Sequence, residues 1–155
     1  MLRRLIHTFT SQRGQTLLEF AFIMPFIIIL LFAILDFGLA LDRRITLQHA
    51  VREGARFAAV HASIDDVKDR TVQQAQGIID SGDVEVCYID GPDADGYPGD
   101  AGDQVRVTAT FTYEPRLFGG MLATIGPASA PSIEMTPSGT ARLEQSVSGA
   151  SACPP

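Results

Sequence analysis

The sequence predicts an α+β fold: a long N-terminal transmembrane helix with an amphipathic stem, a second helix and a small antiparallel β-sheet. Three observations predict it. Residues 17–41 contain only two charged side chains, Glu19 and Asp36. The next segment repeats apolar residues at three- and four-residue steps, as one face of a helix does. Two later segments alternate apolar and polar residues, which is typical of half-buried strands.

Residues 15–41 are predicted to cross the membrane. About 25 residues of helix measure roughly 37 Å at 1.5 Å per residue, more than a hydrocarbon core of about 30 Å. Pro25 lies inside this segment, and helices in lipid tolerate proline better than helices in water. The alternative is a signal peptide cut after Ala40. The apolar run exceeds the usual length of about 7–15 residues, and Asp36 lies where such a cut needs uncharged residues.

The charges favour a cytoplasmic N-terminus and an extracytoplasmic C-terminal domain. Basic residues flank the span in similar numbers, so the positive-inside rule alone does not decide the orientation. The leading segment holds three arginines and no acid, whereas 16 of the 18 acidic and 9 of the 12 basic residues follow the span from Asp42 onward. Nucleic acid is disfavoured as a partner, because binding to phosphates needs a basic surface.

The helical pattern continues as a stem to about Ala62. Apolar and small residues form one side of this stem, and arginines occupy much of the other. The small side either lets another backbone approach closely or packs against the chain's own sheet. Its members are Ala50, Gly54, Ala55, Ala58 and Ala59.

A second helix is predicted after the stem. Ser63 resembles an N-cap, Asp65 and Asp66 fall in the first turn, and the helix is expected to continue to about Ile79 and to end before Gly82.

The remaining domain is predicted to be a small sheet. Residues 83–90 and 104–114 form two strands joined by an exposed loop rich in Gly, Pro and Asp. A third strand is expected at 132–135 or at 140–145. We therefore expect a leader at 1–14, a transmembrane helix at 15–41, an extracytoplasmic α+β domain at 42–146 and a flexible tail at 147–155.

Cys87 and Cys153 are the two cysteines of the chain. Neither belongs to a CxxC pair or lies near a histidine at metal-ligand spacing. They are expected to form one disulfide in an oxidising compartment and to remain separate thiols in the cytosol. An exported domain therefore predicts the Cys87–Cys153 bond, which would hold the C-terminal tail.

Catalytic patterns are missing from the sequence. His7, His49 and His61 have no cysteine or acid pattern beside them, and neither a G-x-S-x-G motif nor a phosphate-binding glycine loop occurs. We expect no enzyme, no cofactor and no metal centre.

The aspartates of the exposed loop resemble part of a calcium site. Asp93-x-Asp95-Gly96 matches the middle of a helix-loop-helix calcium loop, but Gly91 and Gly102 stand at its first and twelfth positions, where carboxylates are needed. A solvated turn is the expected structure.

The stretch RGQTLLEF, residues 13–20, resembles the cleavage site of type IV prepilins, in which a short basic leader ends in Gly and Glu is the fifth residue after the cut. Glu19-Phe20 resembles Flp-type pilins more closely. The continuation EFAFIMPFIIILLFAILDFG and the run AVREGARFA at 50–58 resemble the TadE-like family, minor pseudopilins of the tight-adherence (Flp, type IV-like) pilus system. The resemblance is strong over about residues 13–60.

The resemblance implies that a membrane prepilin peptidase cuts between Gly14 and Gln15. Gln15 departs from the more usual hydrophobic residue at the first mature position. The new ammonium would lie one helical turn from Glu19, which is the expected assembly and processing carboxylate. It would pair with the ammonium of its own chain or of a neighbour; otherwise it extends to the lipid headgroups.

The resemblance also implies a function. It is that of a minor pseudopilin or assembly subunit of a Flp/Tad pilus at the bacterial inner membrane, acting in surface adhesion and pilus biogenesis. The implied partners are the membrane, the prepilin peptidase, other pilus subunits and membrane platform proteins. The first alternative is a membrane-tethered extracytoplasmic binding or accessory domain outside the pilus, and the second is an enzyme released after Ala40.

Overall fold

A computed structural model of the chain describes residues 12–60, 63–92, 96–125 and 131–154. It confirms the α+β class and the long apolar N-terminal helix. The helices are α1 (Gln12–Ala58), α2 (Ile64–Gln74) and α3 (Arg116–Ile125), and the strands are β1 (Val84–Ile89), β2 (Gln104–Ala109), β3 (Phe111–Tyr113), β4 (Ile133–Met135) and β5 (Ser138–Arg142). They divide into two compact units, one of Met1–Gly38 with Pro115–Ala130 and one of Leu39–Glu114 with Pro131–Pro155.

The second unit is built on an antiparallel sheet in the order β1-β2-β5, and β3 pairs with β4 in a separate two-stranded ribbon. Alternation in β2 puts Val105, Val107 and Ala109 in the core, as the sequence pattern predicts. The core continues through the C-terminal part of α1, where Leu47 and Val51 are fully buried. The sheet thus covers the stem on its apolar side.

The small residues of α1 allow this close packing. A Cβ on Gly54 would collide with the Thr71 side chain of α2 and lie 3.5 Å from Val107 Cγ1. A Cβ on Gly139 of β5 would lie 2.7 Å from the Val51 carbonyl oxygen and 2.9 Å from Arg52 Cα. Of the two interpretations of the small-residue side, the structure supports packing against the chain's own sheet.

The second helix is shorter than predicted. Ser63 caps it, its Oγ accepting the Asp66 N–H at 3.5 Å, but α2 ends at Gln74 instead of continuing to Ile79. Gln76 and Gly77 adopt positive φ angles of 55° and 76°, which no helix can continue through. The stop signal is therefore Gly77 and not Gly82.

The strands also differ in detail from the prediction. The segment 104–114 divides at Thr110 into β2 and β3, which join different sheets. Both candidate regions for a third strand contain one, since β4 and β5 each form. The passage between β3 and β4, which the sequence pattern left unassigned, contains α3. This passage, Pro115–Ala130, belongs to the first unit, whereas the sequence pattern placed it in the domain expected at 42–146.

Candidate functional site

The N-terminal half of α1 is an exposed apolar surface. Its most hydrophobic window has none of its residues buried, and α1 is long and apolar enough to cross a membrane. Phe26 is 74% exposed, and Phe22 and Leu30, one turn to either side, are also exposed. A soluble domain buries such residues, so this surface fits lipid or other apolar helices.

The predicted cleavage residues lie at the start of this helix. Gly14 and Gln15 both fall within α1, whose first residue is Gln12. A peptidase that cuts between them must therefore unwind the first turn. Gly14 favours that opening, because glycine destabilises a helix by about 1 kcal/mol relative to alanine.

Glu19 is exposed on α1, one turn after Gln15. Among the residues that the structure describes, the Glu19 carboxylate makes no hydrogen bond or ion pair; the side chain of Arg13, six residues earlier, lies outside them. Because α1 begins at Gln12, Glu19 is also beyond the first turn, which contains no acid. Removal of residues 12–14 would bring this carboxylate closer to the positive end of the helix dipole.

Asp36 is a second carboxylate of α1, and it is only 4% exposed. Its Oδ2 accepts the Phe118 N–H at 2.6 Å and its Oδ1 accepts the Leu117 N–H at 3.4 Å. These are among the first N–H groups of α3, which have no partner within their own helix. Asp36 therefore caps α3 from another helix, a role that the sequence reading missed.

The two cysteines are bonded in the structure. Cys87 and Cys153 form a disulfide with Cα atoms 4.8 Å apart. Beside it, the Tyr88 N–H donates to the Ser151 carbonyl and the Cys153 N–H donates to the Tyr88 carbonyl, both at 2.9 Å. Instead of the flexible tail expected for 147–155, residues 151–153 lie along β1, and Val147 is buried.

The Asp/Gly-rich loop is organised by Asp103, which is 2% exposed. Its carboxylate accepts the N–H groups of Gly91 and Gly99 at 2.8 Å and of Asp100 at 3.0 Å. Burial alone would raise the pKa of this carboxyl, but the three backbone donors outweigh it and hold the pKa below its ordinary value.

The solvated turn expected in place of a calcium site stays a prediction, because Asp93-x-Asp95 lies outside the described residues. No group of three metal-binding side chains occurs among the residues that are described. His49 is exposed on α1, whereas His7 and His61 are also outside the described ranges.

The family model described as TadE-like protein matches residues 14–56, a segment that begins at Gly14 and ends near the end of α1. The match confirms the resemblance to this family over residues 14–56, which make up less than half of the chain. No curated protein and no solved structure matches the chain.

Proposed function

We propose, from the TadE-like character of residues 14–56, that this protein is a minor pseudopilin or assembly subunit of a Flp/Tad pilus, acting in pilus biogenesis and surface adhesion. The observation that carries the proposal is the extent of the match, which starts at the residue before the predicted cut and covers the helix with the exposed apolar half. A subunit that leaves the membrane to join a helical bundle needs such a surface, because the bundle replaces lipid around the same side chains.

Cleavage prepares Glu19 for this role in two ways. It creates an ammonium at Gln15, one turn from the carboxylate, and it makes Glu19 the fifth residue of the helix instead of the eighth. The ammonium favours an anion there through charge pairing, and the shorter helix brings the carboxylate closer to the positive end of the helix dipole. In a bundle the ammonium of a neighbouring subunit can take the same place.

The proposed location is the bacterial inner membrane, with a single span and the C-terminal domain outside the cytoplasm. The Cys87–Cys153 bond supports this orientation, since disulfides persist in oxidising compartments and are rare in the cytosol. The role is structural, and the chemistry on this chain belongs to the prepilin peptidase.

The intact mass of the mature protein tests the proposal. Co-expression with a prepilin peptidase should give a chain that begins at Gln15, and Gly14→Leu should abolish this processing. Gly38→Leu is the matched control: a Cβ there meets no atom within 4 Å, and Gly38 lies three residues before the alternative signal-peptidase cut. A mature chain that begins at Leu41, lost in Gly38→Leu but not in Gly14→Leu, would refute the proposal.

A membrane-tethered accessory domain outside the pilus is the second candidate. It predicts no co-purification of the processed chain with sheared pili. Detection of the chain in that fraction, by antibody or mass spectrometry, favours the pseudopilin.

A further inference from the structure

The helix α3 has an unusual composition for a segment between two strands of an extracytoplasmic domain. Arg116 is its one charged residue, and it contains no acid. Leu117 is 41% exposed, and Phe118, Met121 and Leu122 are only partly buried. In water, these apolar side chains would be exposed to solvent over much of the helix surface.

The cap on α3 is also unusual. A helix that starts in water can leave its first N–H groups to the solvent, whereas a helix that starts in hydrocarbon must satisfy them within the protein. Asp36 satisfies two of them from a position 4% exposed, directly after the uncharged run of α1. A carboxylate buried at the end of the apolar span costs free energy unless hydrogen-bond donors, such as these N–H groups, contact it.

One face of the apolar half of α1 is partly buried. Ile28, Ile29, Phe32 and Ala33 are partly buried, although Leu30, Leu31, Ile34 and Leu35 are exposed. The partly buried residues share the helix face of Asp36, at spacings of three, four, seven and eight. Within the described part of this unit, Pro115 and α3 are the residues outside α1. The hydrogen bonds from Leu117 and Phe118 to Asp36 place the start of α3 at one end of this face, which extends about 12 Å back into the uncharged run.

We propose that α3 is a second membrane-embedded element, which enters the leaflet around the C-terminal end of the span and is held there by its Asp36 cap. Its partner is lipid: acyl chains contact Leu117 and its apolar neighbours, and a headgroup phosphate contacts Arg116. Ten residues of helix extend about 15 Å, half of a hydrocarbon core of about 30 Å, so α3 enters the bilayer without crossing it. The inference rests on α1 spanning the membrane and is independent of a role in a pilus.

Spin labels on single introduced cysteines test it in liposomes, because the described chain contains no free thiol. Labels at Leu117→Cys and Ala123→Cys should collide more with oxygen than with a water-soluble nickel chelate, and Ala123 should be the deeper site. Leu30→Cys on the span provides the lipid reference and Glu144→Cys on the domain provides the water reference; both positions are exposed.

Three results would overturn the proposal, and they can be told apart. Labels on α3 that match Glu144→Cys, with Leu30→Cys in lipid, place α3 in water. Labels on α3 shielded from both reagents indicate a second copy or another subunit as its cover. If Leu30→Cys itself behaves as the water reference, α1 does not span the bilayer, and both this inference and the proposed membrane topology fail.

The cap has its own test. Asp36→Ala should move the Ala123→Cys label toward the nickel chelate, because the N–H groups of α3 would then need water. Asp42→Ala removes an exposed carboxylate of the same helix and should leave the label in lipid. Asp36→Asn should preserve part of the cap, because its amide oxygen can still accept an N–H group, and should therefore move the label less than Asp36→Ala. Formation of the native disulfide in each variant reports that the domain has folded. An unchanged label in Asp36→Ala would overturn the role assigned to the carboxylate.

Discussion

At the scale of residues, Asp36 and Asp103 use the same chemistry in different surroundings. Each is buried, and each accepts N–H groups from backbone that is otherwise without partners. The sequence shows that these positions are acidic but not which donors they meet. For Asp36 the donors are 81 and 82 positions away. A short-range pattern cannot predict that contact, whereas the cap at Ser63 involves a donor three residues on and was predictable.

Asp103→Asn should destabilise the domain. An amide has one acceptor oxygen, so its NH₂ group would face an N–H of Gly91 or Gly99 and leave that donor unpaired. We expect a lower urea midpoint of unfolding for the full chain in detergent. Asp69→Asn, an exposed carboxylate on α2, should leave the midpoint unchanged.

The loss should depend on pH in a known direction. Because the pKa of Asp103 is lowered in the folded state, its stabilising effect is complete above the pKa of the unfolded chain, about 3.9, and disappears as the pH falls through the folded pKa. The midpoints of the parent and Asp103→Asn should therefore converge in acid. A difference that is constant from neutral pH to pH 2 would contradict the role of the ionised carboxylate.

At the scale of elements, helices with an extended apolar pattern or an N-cap residue were predictable from the sequence, but the residues at which they end were not. The apolar run and the stem predicted α1, but the helix ends at Ala58 and not near Ala62. The end of α2 depends on the left-handed residues Gln76 and Gly77. Nothing in the sequence predicts that Gln76 adopts a left-handed backbone conformation. The short helix α3 contains Gly119 and Gly120, which lower its intrinsic helix propensity, so its formation relies on Asp36 and on its surroundings.

The disulfide joins two elements, β1 and the C-terminal segment, and its removal should be costly. Replacing both Cys87 and Cys153 with serine should lower the free energy of unfolding by about 2–4 kcal/mol, because the bond restricts a loop of 66 positions in the unfolded chain. Urea titration of the full chain in detergent measures this change.

Reductant provides the control for that experiment. It should shift the parent chain to the midpoint of the double variant and leave the variant itself where it is. A parent whose midpoint is insensitive to reductant would show that the bond contributes no stability.

At the scale of the whole molecule, hydropathy and charge predicted the division between a span and an acidic domain. The TadE-like match covers residues 14–56 and ends within α1, before α2 and all of the described strands. The topology β1-β2-β5, with a separate β3-β4 ribbon, follows from long-range pairing of short strands. Alternation identifies such strands but does not say which of them become neighbours.

Incorporation into pili, which involves the whole molecule, tests the role assigned to Glu19. Glu19→Ala should still be cut after Gly14, yet the variant should be depleted from sheared pili, because the ammonium at Gln15 would have no carboxylate to meet. Glu144→Ala, which removes an exposed acid from the domain, is the matched control and should be incorporated normally. Normal incorporation of Glu19→Ala, measured by quantitative immunoblot, would show that assembly does not need the carboxylate.

The closure of β1 by residues 151–153 has a consequence for biosynthesis. β1 has β2 on one side and the C-terminal segment on the other, and the segment is delivered 66 positions after Cys87. During export in the proposed topology, β1 leaves the translocation channel well before the residues that close it, and an open strand edge pairs readily with other chains. In that topology the edge of β1 stays open until residues 151–153 pair with it, and the Cys87–Cys153 bond then holds them in place.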